Sequence, residues 1–326
     1  MPGLYPLKFK PIFKPYIWGG SRLQTSLGKK IPGYPTAESW EISGVKGNIS
    51  VVAEGFLKGN SLQELVEVYM GDLVGDKIYE RFGIEFPLLI KFIDANQDLS
   101  IQVHPDDETA RIRHKAFGKT EMWYVLEADE GSALYSGFRR KVSRDEYLHH
   151  LENGTLSEIL NREEVHPGDV FFIPAGRIHG IGKGILLTEI QQTSDITYRV
   201  YDWGRVDKEG LPRPLHTDLA LDVINFGDTG PFKTVYSPRL NRPVKLVQCP
   251  YFTTQRLDAD QTVTRDYFAL DSFVIYICTS GSFTIHYGEE KPVTLVRGET
   301  ILIPAEIKQV TLVPEGQGTL LEVFVP

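Results

Sequence analysis

GDVFFIPAGRIH, residues 168–179, decides how this chain of 326 residues is read. Pro167-Gly168-Asp169 makes a turn, Val170 to Ile173 reads as a short strand, and Pro174-Ala175-Gly176 makes a second tight turn. Glycine at such corners permits positive φ, which a Cβ hinders. His179 therefore opens a new strand directly after a sharp corner. In a β-roll, such a corner brings a side chain into the mouth of the roll.

Working outward, residues 99–107, LSIQVHPDD, read as a strand over 99–103 running into a turn at Pro105. Side chains on a strand alternate faces, so Gln102 and His104 point one way and Ile101 and Val103 the other. Asp106 and Asp107 are expected to cap a helix over 108–116. Further on, Gly118-Lys119-Thr120-Glu121 leads into a strand over 122–126, with Lys119 and Glu121 on one face. Gln102, His104, Glu121 and His179 together offer two imidazoles, a carboxylate and an amide oxygen, each near a strand end or corner. Zinc takes such nitrogen and oxygen donors, and a catalytic site leaves a position for water or substrate. Two histidines and a carboxylate suit Fe(II) as well. Taken singly, Gln102 and His104 are equally consistent with buried polar groups whose hydrogen bonds are satisfied, and Glu121 with a solvated residue at a strand start.

The same strand-turn pattern returns near the C-terminus. Gly168 to His179 lines up with Gly298 to Gln309, and Tyr124 with Gly131-Ser132 lines up with Tyr276 and Gly281-Ser282. The chain thus reads as mainly β, two related β-rolls with helical insertions in the N-terminal half. Residues 1–235 form the metal-binding catalytic unit, with helical segments at about 61–82, 143–162 and 215–226. Residues 236–326 form a second roll, in which Gln309 stands where His179 does and nothing like Gln-x-His precedes it. Ser61 with Glu64 makes a capping box at the start of the first helical segment, and Gly71 and Gly75 break it in two. Residues 1–57 read as strands and turns.

Composition excludes several classes. No run of about 18 apolar residues exists to span a membrane. The N-terminal sequence has prolines and lysines where a signal peptide needs an apolar run. Two cysteines, Cys249 and Cys278, make neither a disulfide framework nor a thiolate zinc site, so a reducing cytoplasm is the expected location. With a net charge of −8 and no basic stripe, nucleic acid is not an expected partner. An anionic substrate has to be held by local cations. Lys91, inside the apolar strand PLLIKFI at 87–93, must reach solvent, pair with a carboxylate or meet an anion.

The string from Gly168 to His179 resembles the second cupin motif. The chain as a whole resembles type I mannose-6-phosphate isomerases of the short bacterial kind, through Trp18-Gly19, Lys91, SIQVHPDD at 100–107, Lys119-Thr120-Glu121, PAGRIHG at 174–180, and Ser194-Asp195 followed by Arg199. The resemblance implies cupin-type jelly-roll barrels and one zinc per chain, bound by Gln102, His104, Glu121 and His179. It also implies a catalytic Arg199, with Lys119 or Asp195 as the base for proton transfer between C1 and C2 of a sugar phosphate, or Asp195 as the group that orients Arg199. Lys91 and Ser100 are expected phosphate contacts. Gly118 departs from the family pattern, which has a histidine there. The rival readings are another metal-dependent cupin enzyme, such as an iron dioxygenase, and a sugar-phosphate-binding cupin without catalysis.

Overall fold

The computed structural model describes residues 3–206 and 209–326. Among these, twenty strands form four sheets of six, five, five and four strands. The six-stranded sheet runs Ile12–Lys14, Glu38–Ser43, Leu88–Ala95, Ile185–Gln192, Glu121–Ala128, Val170–Ile173. The five-stranded sheet beside it runs Tyr198–Tyr201, Ile101–Val103, His179–Ile181, Ala133–Phe138, Leu160–Glu164. Trp123, Phe171, Ile173 and Leu187 from the first meet Leu134 and Ile181 from the second in a shared apolar interior. The remaining two sheets form a second roll around Leu257, Cys278, Ile301 and Leu320 on one side and Phe283, Leu295 and Leu312 on the other. The expected two rolls are therefore present.

The rolls do not merely touch. Leu88, Ile90, Phe92, Met122 and Tyr124 of the first pack with Ile275, Ile277, Leu321 and Val323 of the second in one core. Strand Leu88–Ala95 is thus covered on both faces, which is why it reads as an almost unbroken apolar run. Its alternate residues Lys91, Ile93 and Ala95 belong to the interior face of the first roll. Each apolar side chain so buried contributes about 1.5–3 kcal/mol, enough to make this interface a core of the molecule.

The repeat holds along 168–176 and 298–306 but slips upstream. Ile173 pairs with Glu121 and Phe171 with Trp123, whereas Ile303 pairs with Val274 and Ile301 with Tyr276. The counterpart of Tyr276 is therefore Trp123 and not Tyr124. A slip of one residue exchanges the faces of a strand. Tyr124 accordingly packs between the rolls, while Tyr276 points inside the second. There Tyr276 donates to the Tyr267 hydroxyl, which in turn donates to the buried carboxylate of Glu322 at 2.7 Å, with the Tyr276 oxygen 3.3 Å from the same carboxylate. Arg265 grips the same carboxylate through Nε and Nη2, at 2.9 and 2.8 Å.

Helices follow the sequence signals closely at their starts and less well at their ends. Ser61 and Glu64 form the capping box that opens Leu62–Val74, and Gly75, at φ +99°, separates it from Asp76–Phe82. Asp106 caps Asp107–His114 by accepting from Thr109 N at 2.8 Å. The segment expected to be helical over 143–162 is a helix at Arg144–Glu152 and a single 3-10 turn at Leu156–Glu158. It then becomes the strand Leu160–Glu164, because these residues alternate in burial and pair with Ala133–Phe138. Over 215–226 only Thr217–Leu221 is helical. Beyond it the backbone is claimed by neighbours, Asn225 N donating to Gly176 O and Val142 N to Phe226 O. A short helix at Arg22–Thr25 interrupts the region read as strands and turns. No helix of the described residues is long and apolar enough to cross a membrane.

Candidate metal centre and pocket

Three strands and two corners assemble the site. Gln102 lies on the short strand Ile101–Val103, directly opposite His179 in the strand register. His104 follows at the strand's end. Glu121 begins the strand Glu121–Ala128 of the facing sheet. His179 begins His179–Ile181 after the two corners, at which Gly168 and Gly176 adopt φ +92° and +85°. A Cβ on Gly176 would also come within 2.9 Å of Val223 O, so that corner admits only glycine.

The side chains of His104, Glu121 and His179 converge, and all three are buried. His104 Nε2 lies 3.5 Å from one oxygen of Glu121 and His179 Nε2 lies 3.4 Å from the other. Each ring is oriented from behind. His104 Nδ1 bonds to Ile196 O and His179 Nδ1 to Arg177 O, both at 2.8 Å. A carbonyl only accepts, so both Nδ1 atoms carry the proton and both Nε2 lone pairs face the cluster. Gln102 completes the group, its amide nitrogen 3.3 Å from His179 Nε2 and its oxygen 3.5 Å from Ser100 Oγ. A half-turn of the amide presents the oxygen instead.

Electrostatics keep these donors ready. Burial, helped by Lys119 and the opposite imidazole, holds His104 well below the ordinary histidine range. Burial likewise brings His179 down to about 3. Both rings are therefore neutral at pH 7. Burial, then the neighbouring Glu189, push Glu121 upward, with Lys119 opposing. Oε1 of Glu121 is buried without a hydrogen-bond partner among the described residues. Two neutral imidazoles and a carboxylate oxygen lacking a partner, gathered in one place, fit a divalent cation with nitrogen and oxygen preferences.

Beside the cluster opens a pocket of about 290 Å³, lined in part by Trp18, Trp40, Lys91, Ser100, Gln102, Lys119, Asp195 and Arg199. Lys119 bonds to Glu121 and donates to His104 Nε2 at 3.0 Å. Asp195 is exposed within the same pocket. Arg199 donates through Nε to Ser100 Oγ at 3.3 Å and through Nη1 to Pro214 O at 3.0 Å. Its hydrogen-bond acceptors there are thus neutral oxygens. Lys91 is turned inward, held 2.9 Å from Glu189 and 3.9 Å from Glu38. Of the three fates open to this lysine in the sequence, the structure shows pairing with carboxylates. The position of Gly118 is equally specific, since a Cβ there would meet the Asp106 and Asp107 backbone at about 2.5 Å.

Glu189, Glu38 and Arg213 also line the pocket and were not singled out from sequence. Glu189 faces Lys91 and Trp123 across the sheet, and accepts from both, at 2.9 and 2.8 Å. Burial alone would raise its carboxyl, but Lys119, Lys91 and these bonds outweigh burial and bring it down to about 2. The signal was present as a lone glutamate in the apolar strand ILLTEIQQ, matching the lone lysine in PLLIKFI.

Comparison with known proteins sets this geometry in context. Residues 6–132 match the family of the phosphomannose isomerase type I catalytic domain, and residues 243–325 that of the mannose-6-phosphate isomerase cupin domain. The chain is 37% identical to a mannose-6-phosphate isomerase of Streptococcus mutans, over 90% of each chain. It is 41% identical to the mannose-6-phosphate isomerase ManA of Bacillus subtilis, over 76% of this chain and 78% of that protein. The crystal structure of a Bacillus subtilis mannose 6-phosphate isomerase superposes with a TM-score of 0.88 at 33% identity, covering 98% of this chain and 99% of the other.

Proposed function

The chain belongs to the type I phosphomannose isomerases and is an isomerase, and from that premise we propose that it interconverts mannose 6-phosphate and fructose 6-phosphate through a cis-enediol, with one zinc ion per chain. The observation that carries the metal reading is the convergence of the His104 and His179 Nε2 atoms on Glu121, with each Nδ1 anchored to a backbone carbonyl. His104, Glu121, His179 and the Gln102 oxygen would hold the ion. When bound, it supplies a Lewis acid that stabilises negative charge developing on the sugar oxygens.

The chain's own residues do the rest. Trp18, Trp40 and the pocket wall hold the sugar beside the cluster and away from bulk water. The Arg199 guanidinium, held by Ser100 and Pro214, is a fixed positive charge for the enediol oxygens. A proton has to leave C2 of the aldose and arrive at C1. Lys119 and Asp195 are the pocket groups that can carry it. Hydrogen exchange at C2 separates them, because whichever of Lys119→Ala and Asp195→Asn still exchanges normally is not missing the base.

The decisive experiment is a coupled assay with mannose 6-phosphate, run with and without chelator. Chelation is expected to abolish isomerisation and added Zn²⁺ to restore it. His179→Ala is expected to keep the fold but lose the metal by elemental analysis. Full activity in metal-free protein, or one zinc per chain in His179→Ala, would overturn the ligand set.

A further inference from the structure

The pocket has two ends of opposite electrical character. At the buried end Lys91 and Lys119 face three carboxylates, those of Glu38, Glu121 and Glu189. Both ammonium groups are committed to ion pairs there. A phosphate dianion placed at that end would meet carboxylates at close range in a low-dielectric interior, where repulsion is strongest.

At the other end the balance reverses. Asp202 serves two guanidinium groups. Its Oδ1 accepts from Arg205 Nη2 at 2.5 Å and from Arg213 Nη2 at 2.6 Å, and its Oδ2 accepts from Arg213 Nε at 2.8 Å. Arg199 adds a third guanidinium bonded only to neutral oxygens. Three cations thus gather about Asp202, with the exposed Asp195 also on the pocket wall. The crowding is visible at Arg199, which burial first and then Arg213 lower from the ordinary arginine range. A dianion is the charge this end lacks.

We infer that Arg213 binds the phosphate of the sugar phosphate and so fixes which end of the sugar reaches the metal cluster; the inference rests on the isomerase reading above. Arg213 is built for the task. Its Nε and Nη2 edge is locked on Asp202 while the side chain still lines the pocket. The fork enters the encounter already oriented, so little rotamer freedom remains to be lost on binding. Lys91, the cation first favoured for this role, becomes part of the buried charge network instead.

The test compares Arg213→Gln and Arg213→Lys with the unmutated, zinc-loaded protein. Two quantities are measured: steady-state kinetics with mannose 6-phosphate, and the dissociation constant of inorganic phosphate by calorimetry. In Arg213→Gln both the KM and the phosphate dissociation constant are expected to rise about 10- to 100-fold, the scale of one lost charge-assisted contact. Arg213→Lys is expected to fall between, since an ammonium keeps the charge but cannot hold the fork on Asp202. Unchanged phosphate binding in either variant, with circular dichroism matching the parent, would overturn the assignment, as would a fall in kcat alone. Should the unmutated protein bind phosphate through Arg213 and yet fail to isomerise mannose 6-phosphate, the isomerase reading falls and the phosphate site stands.

Discussion

Lys91 carries its charge in the middle of a strand whose eight residues are all buried. Burial by itself would discharge such a lysine, but Glu189 and Glu38 outweigh it and raise Lys91 above the ordinary lysine range. Removing one partner of a buried pair leaves the other uncompensated. Lys91→Met is therefore expected to destabilise the fold by about 3–5 kcal/mol in a urea titration. Adding Glu189→Gln should recover part of that loss, because the residues share one network. A single variant as stable as the parent would mean that the carboxylates find other cations. The need for a partner was legible in PLLIKFI, but the partner's identity was not, because Glu189 lies 98 residues away. By contrast, the gathering of His104, Glu121 and His179 could be anticipated, since each sits at a turn or strand end that announces itself locally. Nothing local marks Arg213, whose position is set by a carboxylate eleven residues earlier in a loop.

At the scale of elements, Tyr198–Tyr201 is an edge strand of the five-stranded sheet, and it carries Arg199. An edge leaves backbone groups unpaired. Here the free side is filled by one residue. Arg199 N donates to His216 Nδ1 at 3.2 Å, and His216 N donates to Arg199 O at 2.7 Å. Pro214, two residues before, receives the guanidinium itself. His216 is thus a positioning residue acting through Arg199. His216→Ala is expected to lower kcat about 10- to 100-fold, the cost of a small misplacement at a reacting centre. His216→Asn should restore most of it, since Oδ1 of asparagine occupies nearly the place of Nδ1. Equal losses in both would assign the histidine a packing role only. This bracing escaped the sequence reading because segment 215–226 scans as helix, whereas His216 precedes the short helix that forms. The helix starts were better marked, as at Ser61 and Asp106, where side chain and backbone cooperate within three residues.

Across the whole molecule the two rolls share a plan but divide the labour. Where the first has Glu121, Trp123 and Glu189, strand register puts Val274, Tyr276 and Glu322 in the second. The buried glutamate persists, while its surroundings change from a pocket to a sealed hydrogen-bond network. That network makes the molecule sensitive to base. Burial raises Tyr267 and Tyr276 well above the ordinary tyrosine range. The unfolded chain releases those protons near pH 10 and the folded chain does not, so their contribution is complete below pH 10 and declines above it. Unfolding free energy is expected to fall by up to about 1.4 kcal/mol per pH unit for each tyrosine above that point. Denaturant titrations from pH 8 to 11 measure the slope, and Tyr276→Phe should make it shallower. An identical slope in that variant would show that other groups govern alkaline unfolding.

The joint between the rolls also ties together distant parts of the chain. Leu4 N donates to Glu306 Oε1 at 2.6 Å, across 302 residues, and Leu7 exchanges backbone hydrogen bonds with Leu302. During synthesis, then, the start of the chain emerges long before its partners exist. Leu4 and Leu7 wait for these partners while the ribosome translates both rolls, although Lys8 and Lys10 find Ala53 and Val51 early. A nascent chain arrested before residue 300 lacks Leu302 and Glu306 and so cannot close this seam. Loops spanning most of the chain place this seam among the contacts that topology makes costly to close.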